Sequence, residues 1–292
     1  MYIGRFAPSP TGPIHFGSLV TAVASYLDAK HHGGIWKIRM EDLDQERVVK
    51  GSDKAIINSL HQHGFHWDEE IIYQSQRIDI YQTYLSHLSQ QGSTYFCECS
   101  RKEITDSAMM GIDGMIYPGT CRNKKLDAEH HAVRIKAKDT FITFEDKIQG
   151  SIQQNISKDF GDFILKRSDG IYAYQLAVVI DDALQNINTI IRGADLINST
   201  SRQIYLQMNL SFPSINYGHI PIATLNQKKL SKENRSIPVN DKNIKNNLVA
   251  CLRFLGQDYA LIEKENALTN FWTTAIQLWD ISHVPKIKTI EI

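Results

Sequence analysis

The chain has 292 residues, enough for about two domains and for a core that folds without staples. Its 32 basic and 32 acidic side chains cancel, which excludes a wholesale basic coat for nucleic acid and leaves only a local basic groove. No apolar run reaches the roughly 18–20 residues of a membrane span, and Met1-Tyr2-Ile3-Gly4-Arg5 lacks the apolar core of an export signal, so a cytoplasmic location with reduced cysteines is expected.

Tyr2 to Phe6 is a short apolar run that predicts a strand. Ala7-Pro8-Ser9-Pro10-Thr11-Gly12-Pro13 breaks it. Leu19, Val20, Val23, Ala24 and Leu27 then recur at helical spacing, predicting a helix from Gly17 that Gly33-Gly34 ends. Trp36 to Met40 reads as a second strand, followed by Glu41-Asp42-Leu43-Asp44. Strand, helix and strand within about 40 residues are a βαβ signature and imply a parallel sheet.

Two further helices are expected, one capped by Ser52 and running to Gly64, the other from Gln76 to Gln91 with Gly92 as its stop. Residues 93–160 differ: they hold three cysteines, a loop with Gly111, Gly114 and Gly119, and short alternating segments such as Ala132 to Ala137 and Phe141 to Phe144. They read as an insertion into an α/β domain made of residues 1–92 and 161–240. The α/β pattern resumes with Phe163-Ile164-Leu165, the apolar run Leu176 to Ile180, and Thr189-Ile190-Ile191. A helix from Asp195 to Leu210, a strand from Ile215 to Ile222 and a small helical region over residues 241–292 complete the reading.

Three stretches carry chemistry. In the first, His15, Gly17 and Ser18 sit where the Pro/Gly loop enters a helix. The free N–H groups and partial positive charge of a helix N-terminus suit phosphate, and an imidazole there can donate to a phosphate oxygen. Alone, the same loop reads equally as a rigid turn into a capped helix. In the second, Lys228-Lys229-Leu230-Ser231-Lys232 occupy a polar loop, from which lysines can reach a triphosphate and stabilise charge that develops during displacement. Alone, that stretch reads as a solvated basic loop. In the third, Cys97, Cys99 and Cys121 fall within 25 residues, which favours a metal. Structural zinc takes four ligands, usually thiolate or imidazole, so a fourth must be found. Cys251, beside Leu252 on a helical apolar face, reads as core.

Together, the first two stretches resemble the paired signatures of class I aminoacyl-tRNA synthetases. Arg5-Phe6-Ala7-Pro8-Ser9-Pro10-Thr11-Gly12, Arg39-Met40-Glu41-Asp42-Leu43-Asp44, Tyr174-Gln175-Leu176-Ala177-Val178-Val179-Ile180-Asp181-Asp182 and Ile191-Arg192-Gly193-Ala194-Asp195-Leu196 resemble the glutamyl-tRNA synthetase family, in its order, over residues 1–240. The chain ends too soon after Ser236 for the long helical region with which those enzymes grip the anticodon. It is therefore most similar to the truncated branch of the family, which activates glutamate with ATP without tRNA and attaches it to the queuosine base in the anticodon of tRNA(Asp).

The resemblance implies a Rossmann-like parallel-sheet catalytic domain with an inserted zinc-bearing α+β segment and a short helical end that lacks an anticodon-binding domain. It implies that Arg5, Ala7 and Ser9 line the glutamate pocket, that Glu41 pairs with the α-ammonium, and that Tyr174 and Arg192 hold the side-chain carboxylate. His15 and Lys232 would contact ATP phosphates, with Gly17, Ser18, Lys229 and Ser231 completing the two signatures. Read without the family, Glu41 and Arg192 are ordinary surface ion-pair residues, and His15 a cap histidine. The truncated relatives place a tyrosine in the metal site, which implies Cys97, Cys99, Tyr117 and Cys121 around one structural Zn²⁺. His130, His131 or water are the alternatives to Tyr117. Mg²⁺ is expected with the ATP. Lys124, Lys125, Lys166 and Arg167 are candidates for a tRNA surface, and nothing demands more than a monomer.

Two departures stand out. The family's second motif ends K-M-S-K-S, whereas Glu233 follows Lys232 here and Leu230 replaces the methionine. Ser18 stands where many class I enzymes have a second histidine, and its hydroxyl can still bond a ribose or phosphate oxygen. Two other readings compete: a short glutamyl-tRNA synthetase that charges tRNA(Glu) with a separate anticodon-binding partner, and a non-catalytic paralogue that binds tRNA or an amino acid.

Overall fold

The computed structural model describes residues 1–127, 130–225, 228–229 and 239–292, with Asp106, Lys228 and Lys229 described by their backbone alone. The chain opens with strand β1 (Ile3–Phe6), helix α1 (Phe16–His31) and strand β2 (Ile35–Met40). β1 and β2 pair in parallel, Ile3 beside Ile35 and Phe6 beside Ile38, as a βαβ unit requires. α1 sinks into the core because small and branched side chains cover it: Leu19, Val20, Ala22, Val23, Ala24, Leu27 and Ala29 are all buried. Gly33 ends the helix at a left-handed φ of 61°. Gly34 then crosses the start of β1, where any Cβ would come within 2.5 Å of the Tyr2 carbonyl oxygen.

α2 (Ser52–Gln62), β3 (Ile72–Tyr73) and α3 (Ile78–Gln90) follow, and β3 extends the sheet in the order β1-β2-β3. Ser52 is not the cap expected of it. Gly51 holds the cap position at φ 82°, and the Ser52 hydroxyl donates to the carbonyls of Val49 (2.8 Å) and Pro10. α3 begins later than expected because Gln74–Gln76 form a separate 3-10 turn.

Next come β4 (Thr94–Cys97), α4 (Arg101–Ser107), the hairpin β5 (Met109–Gly111) and β6 (Gly114–Ile116), β7 (Ala132–Ile135), β8 (Phe141–Asp146), β9 (Gly150–Asn155) and β10 (Ile164–Lys166). The chain continues with α5 (Tyr174–Leu184), β11 (Thr189–Gly193), α6 (Ile197–Asn209), β12 (Asn216–Ile220), β13 (Ile222–Leu225), β14 (Lys228–Lys229), α7 (Ile244–Phe254), α8 (Leu268–Leu278) and β15 (Thr289–Glu291). Residues 93–160 divide between sheets. β10, β7 and β4 form one antiparallel sheet, while β8 and β9 join the sheet β11-β12-β8-β9, with Asp146 facing Tyr217.

The run Leu176 to Ile180, whose pattern alone does not separate a strand from a buried helix, lies in α5, where Leu176 through Asp182 are buried. β11 starts beside β1: the Asn188 amide donates to the Ile3 carbonyl at 3.0 Å, and the Ile3 amide to Asn188 Oδ1 at 2.9 Å. The strand expected over Ile215 to Ile222 is two strands. Pro221 has no N–H to give a ladder, and β12 and β13 pair in different sheets, β13 lying between β14 and β15. The region after residue 240 is helical apart from β15, which pairs in parallel with β13. It packs tightly: Trp272 of α8 meets Tyr26 and Phe65 with ring centroids 4.9 Å apart, and Trp279 Nε1 donates to Asp28 at 3.0 Å. Cys251 is buried in this core. None of the described helices is long and apolar enough to cross a membrane.

Candidate functional site

A cleft of about 590 Å³ opens where β1, β2 and β11 end. Ligand sites of open α/β sheets lie at such strand ends. Arg5, Ala7, Ser9, His15, Gly17, Ser18, Glu41, Tyr174 and Arg192 all border it. The Pro/Gly loop is pinned from below, since Pro8 O accepts from the Glu41 amide and Pro10 O from the Val49 amide, each at 3.0 Å. His15 caps α1: its Nδ1 accepts from the Ser18 amide at 3.3 Å, and its Nε2 lies 3.0 Å from Ser18 Oγ. The two signature residues therefore touch each other at the helix N-terminus.

The floor of the cleft is ionic. Asp182 accepts from Arg5 Nε at 3.2 Å and from Arg39 Nη1 at 2.8 Å. Burial alone would raise the Asp182 carboxyl, but the two guanidiniums outweigh it and hold it below the usual carboxylate range. Arg39 also donates to Glu41 Oε1 at 3.2 Å. For Glu41 the balance reverses: burial raises its carboxyl, with Arg39 and Arg5 opposing. Glu41 thus lacks cationic support that a bound ammonium would supply.

The cleft is also lined by Arg192, only 2% exposed. Its Nε donates to His219 Nε2 at 3.1 Å, its Nη2 to Thr200 Oγ1 at 2.7 Å, and its Nη1 lies 3.5 Å from Tyr174 Oη. Among the described residues it forms no ion pair with a carboxylate. Burial raises the Tyr174 phenol, so it stays a neutral donor and acceptor beside that charge.

The second signature is only partly described. Lys228 and Lys229 are not loop but strand, antiparallel to β13 with Lys229 opposite Thr224. Leu230, Ser231, Lys232 and Glu233 lie outside the described residues.

Elsewhere, the three cysteines meet. The Sγ atoms of Cys97, Cys99 and Cys121 lie within 4.8 Å of one another, and Cys99 Sγ is 3.5 Å from Cys121 Sγ. Tyr117 Oη stands 3.4 Å from both Cys97 Sγ and Cys99 Sγ and accepts from the Cys121 amide at 2.9 Å. A tetrahedron with zinc–sulfur bonds of about 2.3 Å has edges of about 3.8 Å. Three thiols and a phenol oxygen at these separations fit such a set. Burial pushes the Cys99 thiol up to about 11, and the neighbouring thiols add to it, a crowding that a cation relieves. His131 points away, its Nδ1 bonded to Asp127 O at 3.1 Å. Of the basic candidates, Lys124 pairs with Glu98 and Arg167 with Asp44.

Several site residues escaped the sequence reading. Arg39 and Asp182 stand in the family-like motifs, where nothing local gives either of them a role. Asp182 was visible only as an acid inside an apolar helix run. His219, Thr200 and Asp146 carried no local signal beyond a lone histidine in a buried strand.

The family described as "tRNA synthetases class I (E and Q), catalytic domain" matches residues 3–255. The chain is 47% identical to the glutamyl-Q tRNA(Asp) synthetase of Dechloromonas aromatica, covering 98% of this chain and 96% of that protein. It is 45% identical to the protein of the same name from Neisseria meningitidis serogroup B, covering 98% of each. In fold it resembles the glutamate-tRNA synthetase of Elizabethkingia anophelis, with a TM-score of 0.81 at 23% identity over 100% of this chain and 68% of that one.

Proposed function

The chain belongs to the class I family of glutamyl- and glutaminyl-tRNA synthetases, and on that premise we propose that it activates L-glutamate with ATP and transfers the glutamyl group to queuosine in tRNA(Asp). The observation that carries the glutamate reading is Arg192, a buried guanidinium with no carboxylate partner among the described residues, facing a cleft that also holds an under-supported Glu41. A zwitterion with an extra carboxylate answers both. Its side-chain carboxylate would pair with Arg192 and Tyr174, its ammonium with Glu41, and its backbone would lie along Arg5, Ala7 and Ser9.

The α-carboxylate then attacks the α-phosphorus of ATP, releasing pyrophosphate and forming the mixed anhydride. A hydroxyl of the acceptor next attacks the activated carbonyl and displaces AMP. The protein would contribute position and charge stabilisation, with the α1 N-terminus, His15 and Ser18 toward the phosphates; the family resemblance assigns the same task to Lys229, Ser231 and Lys232 of the second signature. Mg²⁺ bound with the nucleotide would shield the phosphate charge. Zinc would be held by Cys97, Cys99, Cys121 and Tyr117, where it cross-links the segment.

The choice of acceptor is supported by the relatives, which are named glutamyl-Q tRNA(Asp) synthetases. Glutamate-dependent ATP–pyrophosphate exchange without tRNA tests the first half. Labelling of queuosine-containing tRNA(Asp), and not of unmodified tRNA(Asp) or tRNA(Glu), tests the second. Labelling of tRNA(Glu) alone would overturn the acceptor.

A further inference from the structure

Arg192 is held by a buried chain of groups that substrate binding itself does not employ. Beyond the bond from Arg192 Nε to His219 Nε2, the other ring nitrogen, Nδ1, lies 2.5 Å from Asp146 Oδ2. Both the His219 and Asp146 side chains are 0% exposed. The second oxygen of Asp146 accepts three backbone amides, those of Ile148 at 3.0 Å, Gln149 at 2.8 Å and His219 at 3.0 Å. Four donors therefore converge on one carboxylate, which ties the turn after β8 to the middle of β12.

Donor counting fixes the imidazole. His219 Nε2 faces Arg192 Nε and, at 3.1 Å, Thr200 Oγ1; a guanidinium Nε only donates and the hydroxyl can do either, so Nε2 is an acceptor, and since a carboxylate only accepts, the proton sits on Nδ1. His219 is thus neutral and held in one tautomer. The Nε and Nη2 edges of Arg192 rest on neutral acceptors, His219 and Thr200, and its Nη1 remains beside Tyr174 at the cleft. A carboxylate in the place of His219 would cancel the guanidinium charge, as Asp182 does for Arg5. A protonated imidazole would repel it. A neutral acceptor aims the group and leaves its full charge for the ligand.

We propose that His219, locked by Asp146, is a positioning residue that aims Arg192 and sets the preference for a carboxylate over an amide. The proposal rests on the glutamate reading and deepens it: a neutral glutamine side chain would leave the desolvated guanidinium uncompensated.

The test is Asp146→Asn, a change of one atom. The side-chain oxygen still accepts the three amides, but an NH₂ now faces Nδ1 and drives the ring proton to Nε2, against Arg192. In glutamate-dependent ATP–pyrophosphate exchange, the KM for glutamate should rise about 10- to 100-fold, the loss expected for a hydrogen bond to a charged group. The KM for ATP should stay put, and selectivity over glutamine should fall. His219→Leu should match it, while His219→Gln, which keeps an acceptor, should recover part of the loss. Nitrogen-15 spectra of histidine-labelled protein should show the Nδ1–H tautomer in the parent and its loss in Asp146→Asn. Unchanged glutamate KM in both variants, with Arg192→Ala inactive, would overturn the positioning role and leave the glutamate reading standing. Equal rises in the KM for ATP and glutamate would also overturn it, as the mark of a general structural defect. A parent enzyme without glutamate-dependent exchange would remove the glutamate reading itself.

Discussion

Two buried guanidinium centres line the cleft, and they are built on opposite plans. Arg5 shares Asp182 with Arg39 and is neutralised before any ligand arrives. Arg192 leans on an imidazole, a hydroxyl and a phenol, none of which carries charge. The first plan makes a floor that is rigid with or without substrate. The second stores an unmet charge in a low-dielectric wall, where a carboxylate is worth most. Charge that is compensated inside the fold stabilises it, and charge left uncompensated selects a ligand.

Removing each centre should therefore hurt in a different currency. Arg192→Ala should cost about 2–5 kcal/mol in kcat/KM for glutamate activation, a loss of roughly 30- to 5,000-fold. Its thermal stability should fall only modestly, because the buried partners it leaves behind, His219 and Thr200, are neutral. Near-normal exchange kinetics would show that another residue holds the carboxylate. Asp182→Ala should do the reverse first, destabilising the fold by about 3–5 kcal/mol in denaturant unfolding, because it strands the buried Arg5 and takes from Arg39 one of its carboxylates. A small stability change there would erase the distinction between floor and wall.

Acid sharpens the same contrast. The folded Asp182 carboxyl is depressed, so its stabilisation is present above the unfolded value of about 3.9 and is lost as pH falls through the lower folded value. Glu41 is raised, so its contribution runs oppositely, being full below its unfolded value of about 4.3 and lost as pH rises through the folded one. Asp182→Asn should therefore flatten the acid limb of the stability curve, and Glu41→Gln should steepen it. An unaltered limb in Asp182→Asn would contradict the depressed carboxyl. The smallest effect on activity belongs to the cysteine cluster, which forms its own small core. Cys121→Ser should abolish stoichiometric zinc by elemental analysis yet change tRNA-independent exchange by less than about threefold. A larger loss would couple the two regions.

The sequence made the opening βαβ unit legible because proline and glycine bracket α1 on both sides, even though α1 is buried over nearly its whole length. It left α5 ambiguous because a helix buried on all sides has no polar face to mark its period, and it hid β15 because three residues carry little pattern. The cleft was legible through motif residues such as Arg5, Glu41 and Arg192. Their partners were not, since Asp182 bonds Arg5 across 177 residues and Asp146 bonds His219 across 73. Such pairings are set by sheet order, which no local window contains.

Pro221 matters mechanically. By breaking the ladder after β12, it hands β13 to a separate three-stranded ribbon whose edges are the strand carrying Lys229 and the strand Thr289–Glu291. The Ile292 amide bonds the Thr224 carbonyl at 3.0 Å, opposite Lys229. Tension applied at residues 289–292 therefore passes to the lysine strand across a single strand's width. A fusion or cleavage there should loosen β13 and β14, and deuterium uptake by the amides of β13 and β15 is the gauge that reads it.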